Sequence, residues 1–311
     1  MSSSYEEQYL DLCKDILENG VYTEDRTGTG TYSIFGGMLR HDLSTGFPLL
    51  TTKKVNLSLI AGELLWFLSG KTDLPSLRTY QNKTKSSHTI WSDDFDKFYD
   101  ALEKEDTGLS AFYKPQECGG YIYGSQLRHY QVGDLTAQDV WIHDQLATLI
   151  DNIKATVDNP SHPMGRRLRC TFWHPYHHTV GDKDTCALPA CHTDFQCIVR
   201  EGKLNLSFSM RSNDVFLGNP FNVASYALLC HILAKLTDLE VGELVFFGND
   251  IHIYSNHVEQ VKLQLSREPE TLPELKLPRF SNLEELLELT GKDFKLEGYN
   301  PHGFIKAPQA S

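Results

Sequence analysis

Apolar side chains fall at every second position from Leu204 to Met210, with Asn205, Ser207, Ser209 and Arg211 between and after them. That period of two predicts a half-buried strand with one polar face. The run His192–Val199 comes before it and is joined through Glu201-Gly202, which predicts a hairpin. Elsewhere the period is helical. Ser4 with Glu7 three residues on forms a capping box, and Leu10, Cys13 and Leu17 follow at helical spacing. Leu57–Leu68 reads as a buried helix with Gly70 as its stop, and Asn222–Lys235 as a helix with an almost wholly apolar body. Thr31–Leu39 and Leu244–Tyr254 read as strands, and Asp25–Thr31 as a Gly/Thr loop. Lys97–Gln116 is charged and irregular and predicts a surface insertion near residues 97–118. No internal repeat or Gly/Ser/Pro linker interrupts the chain. Helices and strands mix without regular βαβ alternation, so the expected class is α+β.

Length changes this picture little: 311 residues suffice for one large domain or two. Hydrophobic content of 40% and charged content of 23% are those of a soluble globular protein. No apolar run approaches the roughly 18 residues of a membrane span. The start, Met1-Ser2-Ser3-Ser4-Tyr5-Glu6-Glu7, lacks the basic and apolar regions of a signal peptide. A cytoplasmic protein is expected. The net charge of −12 argues against a broad nucleic-acid surface, so direct DNA binding is not expected. A few arginines in one cleft still suit a small anion. Seven scattered cysteines suggest reduced thiols rather than a disulfide framework, with Cys230 a buried apolar residue of its helix.

Candidate chemistry gathers between residues 187 and 222. Cys191 sits between a proline turn and a strand, with Arg211 on the paired strand. A thiolate attacks electron-poor carbon well, but a free thiol titrates near pH 8.5, so cationic neighbours must activate it. A packed, inert thiol is the ordinary alternative. His174, His177, His178, Cys186, Cys191 and His192 also form a Cys/His-rich window, yet without the paired short spacings of a structural zinc site, so no metal is expected. Arg26, the pair Arg166-Arg167, and Arg211 with Ser212 can each grip a phosphate, or simply be solvated. The loop Asp25-Arg26-Thr27-Gly28-Thr29-Gly30 is not a P-loop, since no Lys-Ser/Thr follows it. Asn222 stands at a predicted helix start, where an N-cap is the plain role. Its amide can instead donate to O4 and accept from N3–H of a uracil ring. Glu63 and Asp214 are carboxylates in apolar company, and Trp91 suits a core.

Together these segments resemble the thymidylate synthase superfamily over nearly the whole chain. The resemblance is carried by Asp25–Thr31, Phe47–Lys54, Glu63–Gly70, Pro189-Ala190-Cys191-His192, Arg211–Asn222, His252–His257 and Ile305–Pro308, in that order. It implies a single catalytic domain over residues 1–311, with a curved mixed sheet flanked by helices, and a homodimer packed through that sheet. It implies that Cys191 adds to C6 of a pyrimidine nucleotide, and that C5 then takes a one-carbon unit from 5,10-methylenetetrahydrofolate. Glu63, Tyr123, His192 and Asn222 would complete the catalytic set. Arg26, Arg211 and Ser212 would bind the phosphate, with Arg166 and Arg167 lent across the dimer, and His252 and Tyr254 would hold the ribose. Asp214 would face nucleotide and folate alike. Lys53, Glu63, Trp91, Gly218, Asn219 and Ala310 would lie along the folate. Asparagine at position 222 favours dUMP over dCMP.

The chain departs from the synthase pattern at the tail Pro308-Gln309-Ala310-Ser311, at Asn219, at Asn249 and at Met210. New polar atoms near the folate would admit water and end the reaction as 5-hydroxymethyl-dUMP, rather than by hydride transfer to dTMP. That product suits a bacteriophage making modified DNA precursors in its host's cytoplasm. A divergent thymidylate synthase, a dCMP hydroxymethylase and a silent nucleotide- or RNA-binding relative are the alternatives. The last predicts erosion of the thiol, the phosphate arginines or Glu63, and all are present.

Overall fold

The computed structural model describes residues 4–24, 28–105, 108–133, 140–175 and 185–309. In chain order its principal elements are α1 (Tyr5–Asn19), β1 (Val21–Thr23), β2 (Thr31–Asp42), α2 (Leu57–Leu68), α3 (Ser92–Lys104), β3 (Arg169–Thr171), β4 (His192–Arg200), β5 (Lys203–Asp214), α4 (Gly218–Leu236) and β6 (Glu240–Tyr254). Six strands form one sheet ordered β1-β2-β6-β5-β4-β3. β2 runs antiparallel to β6, and β5 parallel to it, so the sheet is mixed and the class is α+β. The chain divides into two compact units. The first comprises Met1–Ile60, Phe195–Arg279 and Phe294–Ser311, the second Ala61–Asp194 and Phe280–Asp293.

In the first unit the alternation in β5 does what its period requires. Leu204, Leu206, Phe208 and Met210 are buried, while the residues between them stay partly exposed. Phe208 stacks on Tyr226 of α4 with centroids 4.0 Å apart, which seats the apolar helix on the sheet. Each such fully buried side chain contributes about 1.5–3 kcal/mol. Glu201 and Gly202 join β4 to β5 with φ of 51° and 74°, as a type I′ hairpin turn needs. The opposite face carries the polar side chains of β5 together with uncovered apolar ones: Phe35 is 91% exposed, and Met38, paired with Phe247, is 51% exposed.

α1 starts where the capping box places it: the Glu7 N–H donates to Ser4 Oγ, and the Ser4 N–H donates to Glu7 Oε2. Its buried stripe is Leu10, Cys13 and Ile16, with Leu17 only partly covered. On the same helix, buried Glu6 accepts from the N–H and hydroxyl of Thr51 and the N–H and hydroxyl of Thr52. One carboxylate thus satisfies four donors in the segment leading to Lys53.

In the second unit the Lys97–Gln116 segment corrects the expectation of irregular chain. Its start belongs to α3, and Ser110–Tyr113 is helical again. α3 buries Phe95, Phe98, Tyr99 and Leu102 at helical spacing, with the charges on its outer face. α2 ends as predicted, with Gly70 at φ 76°. Gly120, at φ 70°, pairs with Cys186, and a Cβ there would lie 2.1 Å from the Thr185 carbonyl oxygen. Only glycine fits this crossing, just before Tyr123.

Candidate active site

Cys191 lies immediately before β4 and is partly exposed, unlike Cys13, Cys170, Cys186, Cys197 and Cys230, which are buried. Burial pushes the Cys13 and Cys230 thiols up to about 12, so they stay protonated and inert. The Cys191 N–H donates to Tyr123 Oη at 2.8 Å, and the His192 N–H donates to the same oxygen at 3.3 Å. Tyr123, 4% exposed, opens a short helix and is wedged among Phe67, Trp91, Phe172 and His192. One phenol therefore fixes the backbone that carries the thiol. Burial lowers His192 to about 4, so its ring is neutral near pH 7 and supplies no positive charge to the thiol.

Glu63 on α2 is joined to this cluster through Trp91, whose indole N–H donates to Glu63 Oε1 at 2.7 Å. Burial raises the Glu63 pKa; the Trp91 bond and the Lys83 charge oppose that rise. A carboxyl moved toward neutrality can both take and return a proton. Arg166 and Arg167 close a 3-10 turn of the same unit and are exposed.

The first unit carries the other predicted residues. Asp214 Oδ1 accepts from the N–H groups of Phe216 and Leu217, closing the turn from β5 into α4. The helix consequently begins at Gly218, four residues earlier than its apolar body suggested, and Asn222 lies inside the helix rather than at its cap. A Cβ on Gly218 would sit 3.4 Å from Asn222 Oδ1 and 3.6 Å from Asp214 Cβ. Asn222 Oδ1 accepts from Asn213 Nδ2 at 3.1 Å, and Asn213 Oδ1 accepts from Asn219 Nδ2 at 2.9 Å. Asn219 is fully buried.

Register places Ser212 beside Asp250 and Asp214 beside His252, across β5 and β6. Asp250 Oδ2 meets His252 Nδ1 at 3.1 Å and accepts from Ser212 Oγ at 3.4 Å; the His252 bond holds its carboxyl below the usual range. Tyr254 lies edge-on to His252, ring centres 5.1 Å apart. Arg211 is partly exposed on β5. Lys53 is 5% exposed: its ammonium donates to the Phe216 carbonyl and lies 3.5 Å from that ring's centre, and burial lowers it to about 8. Arg26, His177, His178 and Ala310 lie outside the described residues. Among the described residues no cluster of metal-ligating side chains forms.

In the second unit a half-buried thiol held by a phenol lies with a carboxyl raised by burial, groups suited to covalent chemistry. A family model described as thymidylate synthase matches residues 7–311. The chain belongs to the thymidylate synthase family. Members of that family are enzymes that transfer one-carbon units, using methylenetetrahydrofolate as co-substrate at C5 of a pyrimidine nucleotide. No helix among the described residues is long and apolar enough to cross a membrane.

Three residues of this site escaped the sequence. Asp250 carried a signal, its place two before His252 on one strand face. Asn213 had none, because its partners depend on how β5 meets α4. Glu6 looked like one more first-turn acid of α1.

Proposed function

We propose that this thymidylate synthase family member converts dUMP to 5-hydroxymethyl-dUMP, with 5,10-methylenetetrahydrofolate supplying the one-carbon unit. Cys191 Sγ bonds to C6 of the ring, and the electron pair gained at C5 forms the new C–C bond. Loss of the C5 proton to a water near Tyr123, with rupture of the bond between the transferred carbon and the folate nitrogen, releases tetrahydrofolate and leaves an exocyclic methylene on the pyrimidine. Water then adds its hydroxyl to that carbon as Cys191 leaves C6, with Glu63 moving the protons. Asn222 reads O4 and N3–H. Arg26, Arg211 and Ser212 hold the phosphate, His252 and Tyr254 the ribose. The folate lies along Trp91, Asp214 and Gly218 and reaches toward Lys53, Asn219 and Ala310.

The observation that carries the final step is Asn219. Its Oδ1 is buried and accepts no hydrogen bond from the protein. A buried carbonyl oxygen in that state is suited to an ordered water, whereas hydride transfer needs a dry site. The uncovered Phe35, Met38 and Phe247 face supports a homodimer through the sheet, with Arg166 and Arg167 serving the partner's phosphate. The family match runs through both compact units, which supports one catalytic domain over 1–311. We place the enzyme in the cytoplasm, a host's if the source is a phage, where its nucleotide substrate is dissolved.

The test is product analysis of dUMP incubated with methylenetetrahydrofolate. A nucleotide heavier than dUMP by one hydroxymethyl group, formed without dihydrofolate absorbance, is expected. dTMP with stoichiometric dihydrofolate rejects hydroxymethylation and makes the protein a synthase. Cys191→Ala should abolish tritium release from C5-labelled dUMP, and release that persists removes the covalent step.

A further inference from the structure

We infer that Asn213 and Asn219 are positioning residues, an amide relay that holds Asn222 in the sense that reads uracil. The inference rests on the proposed role of Asn222 and extends it to two residues that do not touch the pyrimidine. The three carboxamides run head to tail. Asn219 Nδ2 donates to Asn213 Oδ1 at 2.9 Å, and Asn213 Nδ2 donates to Asn222 Oδ1 at 3.1 Å. Asn213 and Asn219 are 1% and 0% exposed, so bulk solvent does not compete for either bond.

A carboxamide is nearly symmetric in shape and opposite in chemistry at its two ends. Uracil offers an acceptor at C4 and a donor at N3; cytosine offers the reverse. An amide turned over therefore reads the other base. Turning Asn222 alone would set its Nδ2 against Asn213 Nδ2, donor against donor. Turning all three is opposed at the middle of the relay, where Asn213 would lose its contact with Met210 Sδ, now 3.2 Å from its Nδ2.

Sites that pair with a polar edge reject the mismatched partner by factors of about 10⁴, and the relay turns that potential into a choice of base. The experiment is calorimetric titration of dUMP and dCMP, without folate, into the wild type, Asn219→Leu and Asn213→Asp at pH 8. The wild type should prefer dUMP. Asn219→Leu frees Asn213 to turn and should lower the dUMP-to-dCMP affinity ratio at least ~10-fold. Asn213→Asp presents only acceptors, obliges Asn222 to face it with Nδ2, and should lower the ratio further, toward dCMP. A purely structural role would weaken both nucleotides alike and leave the ratio fixed. An unchanged ratio in either variant, folded by circular dichroism, overturns the relay while the substrate reading stands. Wild-type protein that binds dCMP more tightly, or neither nucleotide, overturns the substrate reading and the relay with it.

Discussion

Tyr123→Phe removes one oxygen and leaves the ring. The ring packs against other rings, with Phe67 at 4.8 Å, His192 at 4.9 Å and Phe172 at 5.4 Å between centroids, so packing should survive. What disappears is the acceptor for two backbone N–H groups, of Cys191 at 2.8 Å and of His192 at 3.3 Å. An unsatisfied buried donor costs about 1–3 kcal/mol. The first bond has near-ideal length and the second is long, so their sum is about 2–4 kcal/mol. At about 1.4 kcal/mol per factor of ten, a loss felt in the transition state slows the reaction roughly 30- to 800-fold. The assay is tritium release from C5-labelled dUMP, with kcat and KM resolved separately. The deficit should fall on kcat, because the displaced backbone carries the nucleophile and not the phosphate grip. A variant with kcat within threefold of wild type refutes the reasoning: the phenol would then be incidental to where the sulfur sits.

Glu6→Gln replaces one of the two accepting oxygens of buried Glu6 with an NH2 donor and takes the acceptor from at least one of the Thr51 and Thr52 donors. It should cost about 2–5 kcal/mol and lower Tm by roughly 5–15 °C; differential scanning fluorimetry showing a loss under 2 °C contradicts this. Trp91→Phe takes away the hydrogen bond that favours ionised Glu63. The Glu63 pKa then rises, and the acid limb of the kcat/KM profile should move to higher pH; a limb that stays in place shows Glu63 is not the titrating group. Folding keeps His41, His192 and His231 neutral by burial, the last two down to about 4. Below about pH 6.5 the unfolded chain binds more protons, so stability falls from there to about pH 4 and then levels off. Urea midpoints measured across that interval should decline, and His231→Phe should flatten the decline; equal slopes in both proteins count against it.

Local rules carried much of the fold. The alternation in β5, the Ser4–Glu7 box, the Glu201-Gly202 turn and the Gly70 stop are each decided within a few residues, and all stand where those residues put them. The start of α4 was misjudged because its first turn is polar and is closed by Asp214, a residue that looks like a ligand contact in sequence. α3 was hidden by its own charges, although Phe95, Phe98, Tyr99 and Leu102 keep helical spacing. Cys191, Tyr123 and Asn222 stood out in the sequence as candidates by residue type and setting. Their hydrogen-bond partners were not, since Asn213 reaches Asn222, and Asp250 reaches Ser212, only after strands and helices have docked in one register.

The pairing of β2 with β6 joins Thr31 to Tyr254. A ribosome adding about 5–20 residues per second needs some 10–45 seconds to make the 223 residues between those positions. During that interval β2 has emerged without the neighbour that will satisfy its backbone, and it carries Phe35 and Met38. The nascent chain is therefore most exposed to strand-to-strand aggregation in the middle of its own synthesis, and its yield in a cell depends on what shields that strand until the last third of the polypeptide arrives.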